Sequence, residues 1–468
     1  MNVSDINAYG LVIGGSLVII LSYFANLLAK RTNIPSVLVL IGMGVAIRQG
    51  LNAMGLQSIP FEGLVLELLG TVGLIFIVLE AALDLQLTRD KRPLIIKSAS
   101  IALLALIGSS LAIAWFLGVS MGIPFFEGLV YGIPLSIMSS AIIIPSVGGL
   151  HHDPKEFMVY ESTFSDIFGI MAFYLLLGNS ESASAQEVLL SIGSNLFLTL
   201  IIAILVSYLL VWVLQKITSS VKLFLSIAVL LLIYSIQKLL HLSPLILILI
   251  FGLMLNNHRL FFPNWGNVLR NSRIGNWFNR KRSDDGTSWP ANLLDDKRMS
   301  ALHHDYHLLT LESAFVIRTF FFVLFGMTVS LAALSDLQVI TEGLIICVIL
   351  FATRFLFLLL FKRDAMFPLL YIAPRGLITI LLFFQIQSSY PEFVQANFDQ
   401  GILLVVILVT SIVMTVALVQ HGLGVKESPR EPGTAALELD DHVEGDSTGT
   451  NQLPGARRTQ PPSSSANS

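Results

Sequence analysis

The sequence contains few charged residues and a single cysteine. Only 13% of its 468 residues are charged, about half the share found in a typical soluble domain, and the mean hydropathy is +0.77. This composition excludes a soluble enzyme and a nucleic-acid-binding protein, because both need charged surfaces. The single cysteine, Cys347, lies in an apolar run, so the chain has neither a disulfide framework nor a cysteine-based metal site.

Long apolar runs are what the chain has in abundance, and several reach the roughly 20 residues needed to cross a bilayer. Glycine, proline and polar residues separate these runs. The first run is too long for a signal-peptide core and is interpreted as a span. We therefore predict an all-α integral membrane protein whose thirteen transmembrane helices cover approximately residues 8–29, 35–53, 64–86, 95–119, 127–149, 157–178, 187–214, 222–240, 243–257, 310–331, 341–361, 365–388 and 401–421.

The basic residues predict the orientation of these spans. If the N-terminus is outside, 23 of the 28 lysines and arginines fall on the cytoplasmic side, as expected because cytoplasmic segments carry the excess of Lys and Arg. The pattern stays consistent to the last span. We expect an outer N-terminus, a cytoplasmic C-terminus and a location in a bacterial inner membrane, with membrane lipids as neighbours.

Two polar segments accompany the spans. Residues 258–309 are predicted to form a cytoplasmic loop within a transmembrane domain of residues 1–425. Residues 426–468 are rich in Pro, Ser, Gly and acidic residues, which bury too little apolar surface to offset the entropy of ordering. We expect this tail to be disordered. Both segments are interpreted as solvated connectors, and a regulatory partner for either one is the alternative.

Asp166 lies near the middle of the sixth predicted span, where an ionisable group costs about 2.5–3.5 kcal/mol on insertion scales. Ser162 shares its helix face and Ser165 is adjacent. A carboxylate beside hydroxyls suits a hard cation such as sodium, and burial favours the protonated carboxyl. We predict that Asp166, with Ser162 and Ser165, holds either a cation or a proton. A plain ion pair between Asp166 and an arginine is the alternative.

Three arginines also lie within predicted spans: Arg318, Arg354 and Arg375. Buried positive charges need acidic partners or free carbonyl groups. Glu161 and Asp166 are the best acidic candidates, and for Glu161 a snorkelling surface position is the alternative. Arg375 follows a proline directly, so we expect it to cap carbonyls that the proline leaves free.

Other charged or titratable residues lie near predicted span ends. Glu80 and Asp84 are interpreted as a solvated helix end, and a funnel that attracts cations is the alternative. The adjacent His151 and His152 are expected to have no specific role, with pH sensing as the alternative.

Two predicted spans carry a proline and a glycine in their apolar run. These are Pro145 with Gly148 in the fifth span and Pro374 with Gly376 in the twelfth. Interrupted spans at corresponding positions of two halves point to a transporter built from inverted repeats. We predict that the first six and the last six spans form these repeats. A kink that lines a pore is the alternative.

Four stretches resemble the monovalent cation/proton antiporter superfamily, which contains the sodium/proton exchangers. The resemblance covers residues 8–421, and the stretches that carry it are Gly73 to Leu85, Glu161 to Gly169, Arg318 to Phe322 with Gly326, and Ala373 to Leu377. It implies a dimerisation domain and a moving core domain built from two inverted six-helix repeats, with broken helices that cross beside the ion-binding aspartate. It also implies a homodimer that works by alternating access and needs no cofactor beyond the transported ions.

Carried over to this sequence, the resemblance assigns the sodium and proton site to Asp166. Glu161 and Arg354 match a stabilising acid–arginine pair, and Arg318 stands where electrogenic relatives carry a lysine. Two positions depart from the family pattern. Ile143 and Ile144 replace Thr and Asp, for which Ser139, Ser140 and Ser146 are partial substitutes, and Ser165 replaces an Asn or a second Asp. With one aspartate per site, we expect electroneutral exchange.

Two other functions stay open at this stage. The three predicted buried arginines suggest a sodium-coupled transporter of organic anions, whereas the loop and tail suggest a cation sensor that does not transport. A membrane enzyme is not expected, because no nucleophile–base pair or metal-ligand cluster lies in a span.

Overall fold

The computed structural model describes residues 8–32, 35–53, 62–88, 90–150, 152–178, 185–216, 222–239, 244–261, 296–328, 335–362 and 366–420. Every regular element in these ranges is helical, which confirms the all-α prediction. His151, most of the predicted loop and the predicted disordered tail lie outside the described residues, as does the side chain of His152. All described helices belong to one unit, Met1–Lys426.

Sixteen α-helices are present within the described ranges. In chain order they are α1 (Ala8–Thr32), α2 (Ser36–Ala53), α3 (Glu62–Asp84), α4 (Arg92–Met121), α5 (Phe125–Ser136), α6 (Ser140–Ser146), α7 (His152–Leu177), α8 (Ala185–Lys216), α9 (Lys222–Leu239), α10 (Pro244–Asn256), α11 (His258–Phe261), α12 (Asp296–Thr328), α13 (Leu337–Phe361), α14 (Met366–Leu369), α15 (Leu377–Ser389) and α16 (Gly401–Gln420).

Each predicted span contains a helix, and two spans are divided into a pair of helices. The fifth predicted span comprises α5 and α6, and the twelfth comprises α14 and α15. Within the described residues, seven helical segments are long and apolar enough to cross a membrane, and four shorter helices are also apolar. Large apolar side chains such as Trp115 and Leu239 are exposed, which suits a surface that faces lipid. The count of thirteen spans and the inverted repeats stay predictions.

The tenth span differs from the prediction at its start. Its helix, α12, begins at Asp296, so residues 296–309 are helical and do not belong to a loop. The reason is that this part of α12 buries its own apolar side chains: Leu302 and Tyr306 are almost inaccessible, and the Tyr306 ring packs 5.7 Å from that of Phe251 on α10.

Small residues set how closely the helices approach one another. A Cβ atom on Gly44 of α2 would lie 2.1 Å from the carbonyl oxygen of Val323 on α12, and one on Gly326 would lie 2.2 Å from that of Ile41. Lipid tails are as apolar as the helices themselves, so association in a membrane depends on such close packing. These glycines therefore fix α12 against α2, and α12 also packs against α3.

Candidate ion-binding site

Two interrupted helices cross at the centre of the described structure. The break between α5 and α6 covers residues 137–139, and residues 372–376, directly before α15, are not helical. The backbone N–H of Ser139 donates to the carbonyl oxygen of Pro374 at 3.0 Å, which joins the two breaks. A Cβ atom on Gly376 would lie 2.6 Å from the Ser139 hydroxyl. Only glycine fits this close approach.

The position of the first break corrects the prediction for Pro145. Pro145 lies inside α6, near its C-terminal end, and is followed by a short 3-10 helix, whereas Pro374 does lie in the second break. The Ile137 N–H still donates to the preceding carbonyl oxygen of Pro134 at 3.4 Å, but the amide groups that follow it bond to other segments of the chain. The Met138 N–H donates to the Ser165 hydroxyl at 3.0 Å, and the Ser140 N–H donates to Asp166 at 3.2 Å.

Asp166 lies beside this crossing and is only 2% exposed. Its Oδ2 atom accepts the Ser140 N–H, and the Ser140 hydroxyl also interacts with the carboxyl group. Its Oδ1 atom is buried and has no hydrogen-bond partner among the described residues. A buried, unpartnered carboxylate oxygen is unfavourable, so this atom is available to a proton or to a cation.

A small cavity, here called the Asp166 cavity, lies against this carboxyl group. Its volume is about 10 Å³, enough for roughly one water-sized species. Apart from Asp166, its walls are apolar side chains from four helices, α3, α7, α10 and α15: Ile77, Val78, Ala81, Ile167, Ile170, Met171, Leu245, Ile246, Leu249 and Ile378. Asp166 is therefore the only ionisable group among these lining residues.

The two serines predicted to join Asp166 do not line this cavity. The Ser162 hydroxyl donates to the carbonyl oxygen of Val159 in its own helix at 3.2 Å. Ser165 accepts the Met138 N–H and lines a different pocket. Successive residues of a helix point about 100° apart, so Ser165 and Asp166 face different neighbours. Ser140 is the serine that contacts Asp166. The sequence alone could not show which of Ser139, Ser140 and Ser146 makes this contact.

Glu161 and Arg354 form a buried, bidentate ion pair between α7 and α13. Arg354 donates from Nη1 to Oε1 at 2.7 Å and from Nη2 to Oε2 at 3.0 Å, and the two side chains are 3% and 0% exposed. Arg354 also donates to the carbonyl oxygen of Leu369 in α14. The pair thus connects α7, α13 and the segment that leads into the second break.

The sequence suggested Glu161 or Asp166 as the partner of Arg318, but Arg318 pairs with neither of them. It donates to both oxygens of Glu80, at 3.0 and 2.8 Å, because α12 packs closely against α3. Glu80 is therefore not part of a solvated helix end. Nearer the end of α3, Asp84 contacts the His307 ring at 2.6 Å.

Arg375 has an unusual environment for a buried cation. Its backbone N–H donates to the Thr410 hydroxyl of α16 at 3.1 Å. Its Nε and Nη1 atoms are buried and find no partner among the described residues, so they do not cap freed carbonyls as predicted. The side chain lines a second cavity of about 10 Å³, here called the Arg375 pocket, together with Glu161, Ser165 and other residues from α4, α5 and α13.

Two lysines beyond the ends of the spanning helices have altered basicity. A hydrogen bond to Glu156 raises the pKa of Lys91, which precedes α4. Lys362 follows α13 and lies over the Phe157 ring, with Nζ 3.6 Å from its centre. Burial, assisted by the nearby Lys97, lowers the pKa of Lys362 from 10.5 to about 8, against the opposing influence of Glu161 and Asp153.

Comparison with known proteins agrees with this arrangement. Residues 16–263, more than half of the chain, match the family model described as sodium/hydrogen exchanger, transmembrane. A structure of the sodium proton antiporter MjNhaP1 from Methanocaldococcus jannaschii at pH 8 is 19% identical, with a TM-score of 0.61 over 88% of this chain and 100% of that chain. An electron-microscopy structure of MjNhaP1 gives 19% identity and a TM-score of 0.58, covering 89% of this chain and 96% of the other.

At this identity the structural likeness establishes the fold, and the family model establishes the family. Comparison with curated protein sequences gave no match. The resemblance drawn from the four sequence stretches is confirmed: the chain belongs to the sodium/hydrogen exchanger family of multi-pass membrane proteins.

Proposed function

We propose that this chain exchanges a monovalent cation for protons by alternating access, with Asp166 holding either the cation or the proton. Sodium is the proposed cation, and lithium and potassium are the alternatives. Membership of the family makes the chain a cation/proton antiporter and not an enzyme. The observation that carries the finer proposal is the Asp166 carboxyl group, which is buried at the helix crossing with one oxygen unpartnered.

The chemistry of exchange follows from this environment. A carboxylate in an apolar cavity is unfavourable unless a positive species neutralises it. A proton and a sodium ion both provide one positive charge, and the cavity of about 10 Å³ has room for one small species at a time. Binding of either species therefore excludes the other, and this competition couples their movements.

We propose that exchange is electroneutral, with one proton for each monovalent cation. Two neighbouring acidic groups are already committed: Glu161 pairs with Arg354, and Glu80 pairs with Arg318. This leaves Asp166 as the carboxyl group that changes its occupant. One proton and one cation carry equal charge, so a complete cycle moves no net charge.

The setting in the membrane is part of the same proposal. Thirteen spans, an outer N-terminus and a cytoplasmic C-terminus are supported by the distribution of basic residues, and two inverted repeats are supported by the interrupted fifth and twelfth spans. A homodimer in a bacterial inner membrane is proposed with them, and the dimer rests on the family resemblance alone.

The test is dissipation of a pH gradient in sealed proteoliposomes after addition of sodium, lithium, potassium or choline. We expect a response to sodium or lithium that Asp166→Asn abolishes, because the amide keeps the shape but neither titrates nor neutralises a cation. Asp153→Asn is the matched control, since Asp153 is an exposed aspartate in the first turn of the same helix.

Each of the other outcomes would change a different part of the proposal. A response to potassium alone would move the preferred cation from sodium to potassium. Wild-type exchange by folded Asp166→Asn would contradict the role of Asp166. No response to any cation from folded wild-type protein would favour the sodium-coupled anion transporter or the cation sensor.

A further inference from the structure

Three helices have an end at the same place in the described structure. Lys91, directly before α4, forms an ion pair with Glu156 near the start of α7. Lys362, directly after α13, has its Nζ atom 3.6 Å from the centre of the Phe157 ring. Glu156 and Phe157 are consecutive residues of α7, so the start of α4, the start of α7 and the end of α13 lie side by side.

The packing of α4 against α13 brings Lys97 to the same place. The two helices contact each other, and a Cβ atom on Gly108 of α4 would lie 2.9 Å from the Phe357 ring of α13. Lys97 lies about three turns before Gly108, and therefore on the same side of α4. Its side chain is exposed. Lys97 and Lys362 thus flank the end of the contact between α4 and α13.

Neither of these two lysines forms an ion pair with a described residue. The nearby Glu156 and Glu161 are each paired with another cation, and Asp153 is an exposed residue in the first turn of α7. Burial lowers the pKa of Lys362 to about 8, and the positive charge of Lys97 contributes to this shift. A negative group between the two ammonium groups would offset their repulsion.

The surface beside the two lysines is apolar and exposed. Leu111 and Trp115 are exposed and lie about four and five turns after Lys97, on the same side of α4. On the adjoining α13, Leu356 and Leu360 are also exposed. A positively charged end next to such a surface fits an amphipathic molecule that is negative at one end and apolar along its length.

An anionic phospholipid has this combination of properties, and basic pockets between transmembrane helices bind lipid headgroups of this kind. We propose that the ends of α4 and α13 bind one anionic phospholipid, with its phosphate group between Lys97 and Lys362 and its acyl chains along the exposed apolar surface of the two helices. A free phosphate ion has the same charge chemistry, but it has no part that covers the apolar surface. The lipid site does not depend on the proposed antiport function.

The test is a lipid titration of the full chain in a neutral detergent, with bound lipid counted by native mass spectrometry. The probe is phosphatidylglycerol, and phosphatidylcholine with the same acyl chains is the reference lipid. We expect the wild type to bind the first phosphatidylglycerol more tightly than the first phosphatidylcholine. Lys97→Gln with Lys362→Gln should weaken that phosphatidylglycerol about 30-fold, which equals about 2 kcal/mol for two lysines.

The matched control is Arg92→Gln with Lys155→Gln, which removes two positive charges from the same ends of α4 and α7. Arg92 lies about 140° around α4 from Lys97, so this variant should bind phosphatidylglycerol like the wild type. Equal weakening in the two double variants would show a response to total charge alone and would overturn the proposal.

Two further outcomes with the wild type decide the matter even if the lysine double variant does not fold. Equal affinity for the two lipids would overturn the proposal, because the headgroup charge would then have no effect. Displacement of phosphatidylglycerol by millimolar inorganic phosphate would overturn it in favour of a free-anion site. A cryo-electron microscopy map in nanodiscs that contain phosphatidylglycerol supports the proposal if headgroup density lies between Lys97 and Lys362, and overturns it if that place holds a protein carboxylate.

Discussion

At the scale of single residues, the Glu161–Arg354 pair is expected to stabilise the fold, and this role can be tested without measuring transport. Both side chains are fully buried, so removal of one leaves an uncompensated charge that costs about 3–5 kcal/mol. We expect Arg354→Met and Glu161→Gln each to lower the melting temperature strongly, and the double variant to recover most of the loss. Thermal unfolding in detergent measures this. A double variant as unstable as the worse single variant would show that the pair is not an isolated unit.

Lys362 gives a residue-scale prediction of pH dependence. Its pKa of about 8 in the folded protein lies below the ordinary 10.5, so the folded state binds fewer protons than the unfolded state between these values and stability rises with pH there. The cost of burying the charged lysine is therefore fully present below pH 8. We expect Lys362→Met to raise the melting temperature more at pH 7 than at pH 10. An equal gain at both pH values would contradict the lowered pKa.

At the scale of helices, the crossing of α2 and α12 depends on Gly44. A Cβ atom on Gly44 would lie 2.1 Å from the Val323 carbonyl oxygen, whereas Gly42 on the same helix has open space around it. We expect Gly44→Ala to force the helices apart and to destabilise the fold by about 1–3 kcal/mol or more. Gly42→Ala should be neutral or stabilising, since alanine is the better helix former. Melting temperatures of the two variants, measured side by side, provide the comparison, and equal values would contradict the close approach.

Helices also show how far sequence reasoning extends. The thirteen apolar runs located every helix that carries the site, because length and hydropathy are properties of one segment. The partner of Arg318 was not predictable, because it depends on which helices pack together, and α12 lies against α3.

The first helix break was misplaced for a similar reason. Pro145 marks an irregular segment in the sequence, yet the break forms where Ser165, Asp166 and Pro374 accept the amide hydrogens of Met138, Ser140 and Ser139. These acceptors come from other segments of the chain. A local signal can indicate that a span is interrupted but not at which residue.

At the scale of the whole molecule, the charge balance of the cycle is the property to test. Glu161 and Glu80 are paired with arginines, so the proposed cycle uses one carboxyl group, that of Asp166, to hold either a proton or a monovalent cation. We expect the initial exchange rate in proteoliposomes to stay the same when a potassium gradient with valinomycin sets the membrane potential to zero or to a large negative value. A rate that follows the potential would show that a second charge moves in each cycle.

The solitary cysteine has a practical consequence for following the molecule at work. Cys347 is 3% exposed and lies within α13, so its thiol is shielded from water-soluble maleimides in the folded protein. A cysteine introduced at an exposed loop position, such as Asp90 or Ser335, would be the main reactive thiol without any prior removal of the native one. The unmodified chain is thus already suited to reporter chemistry, and labels that cannot cross the bilayer would report which face each loop occupies.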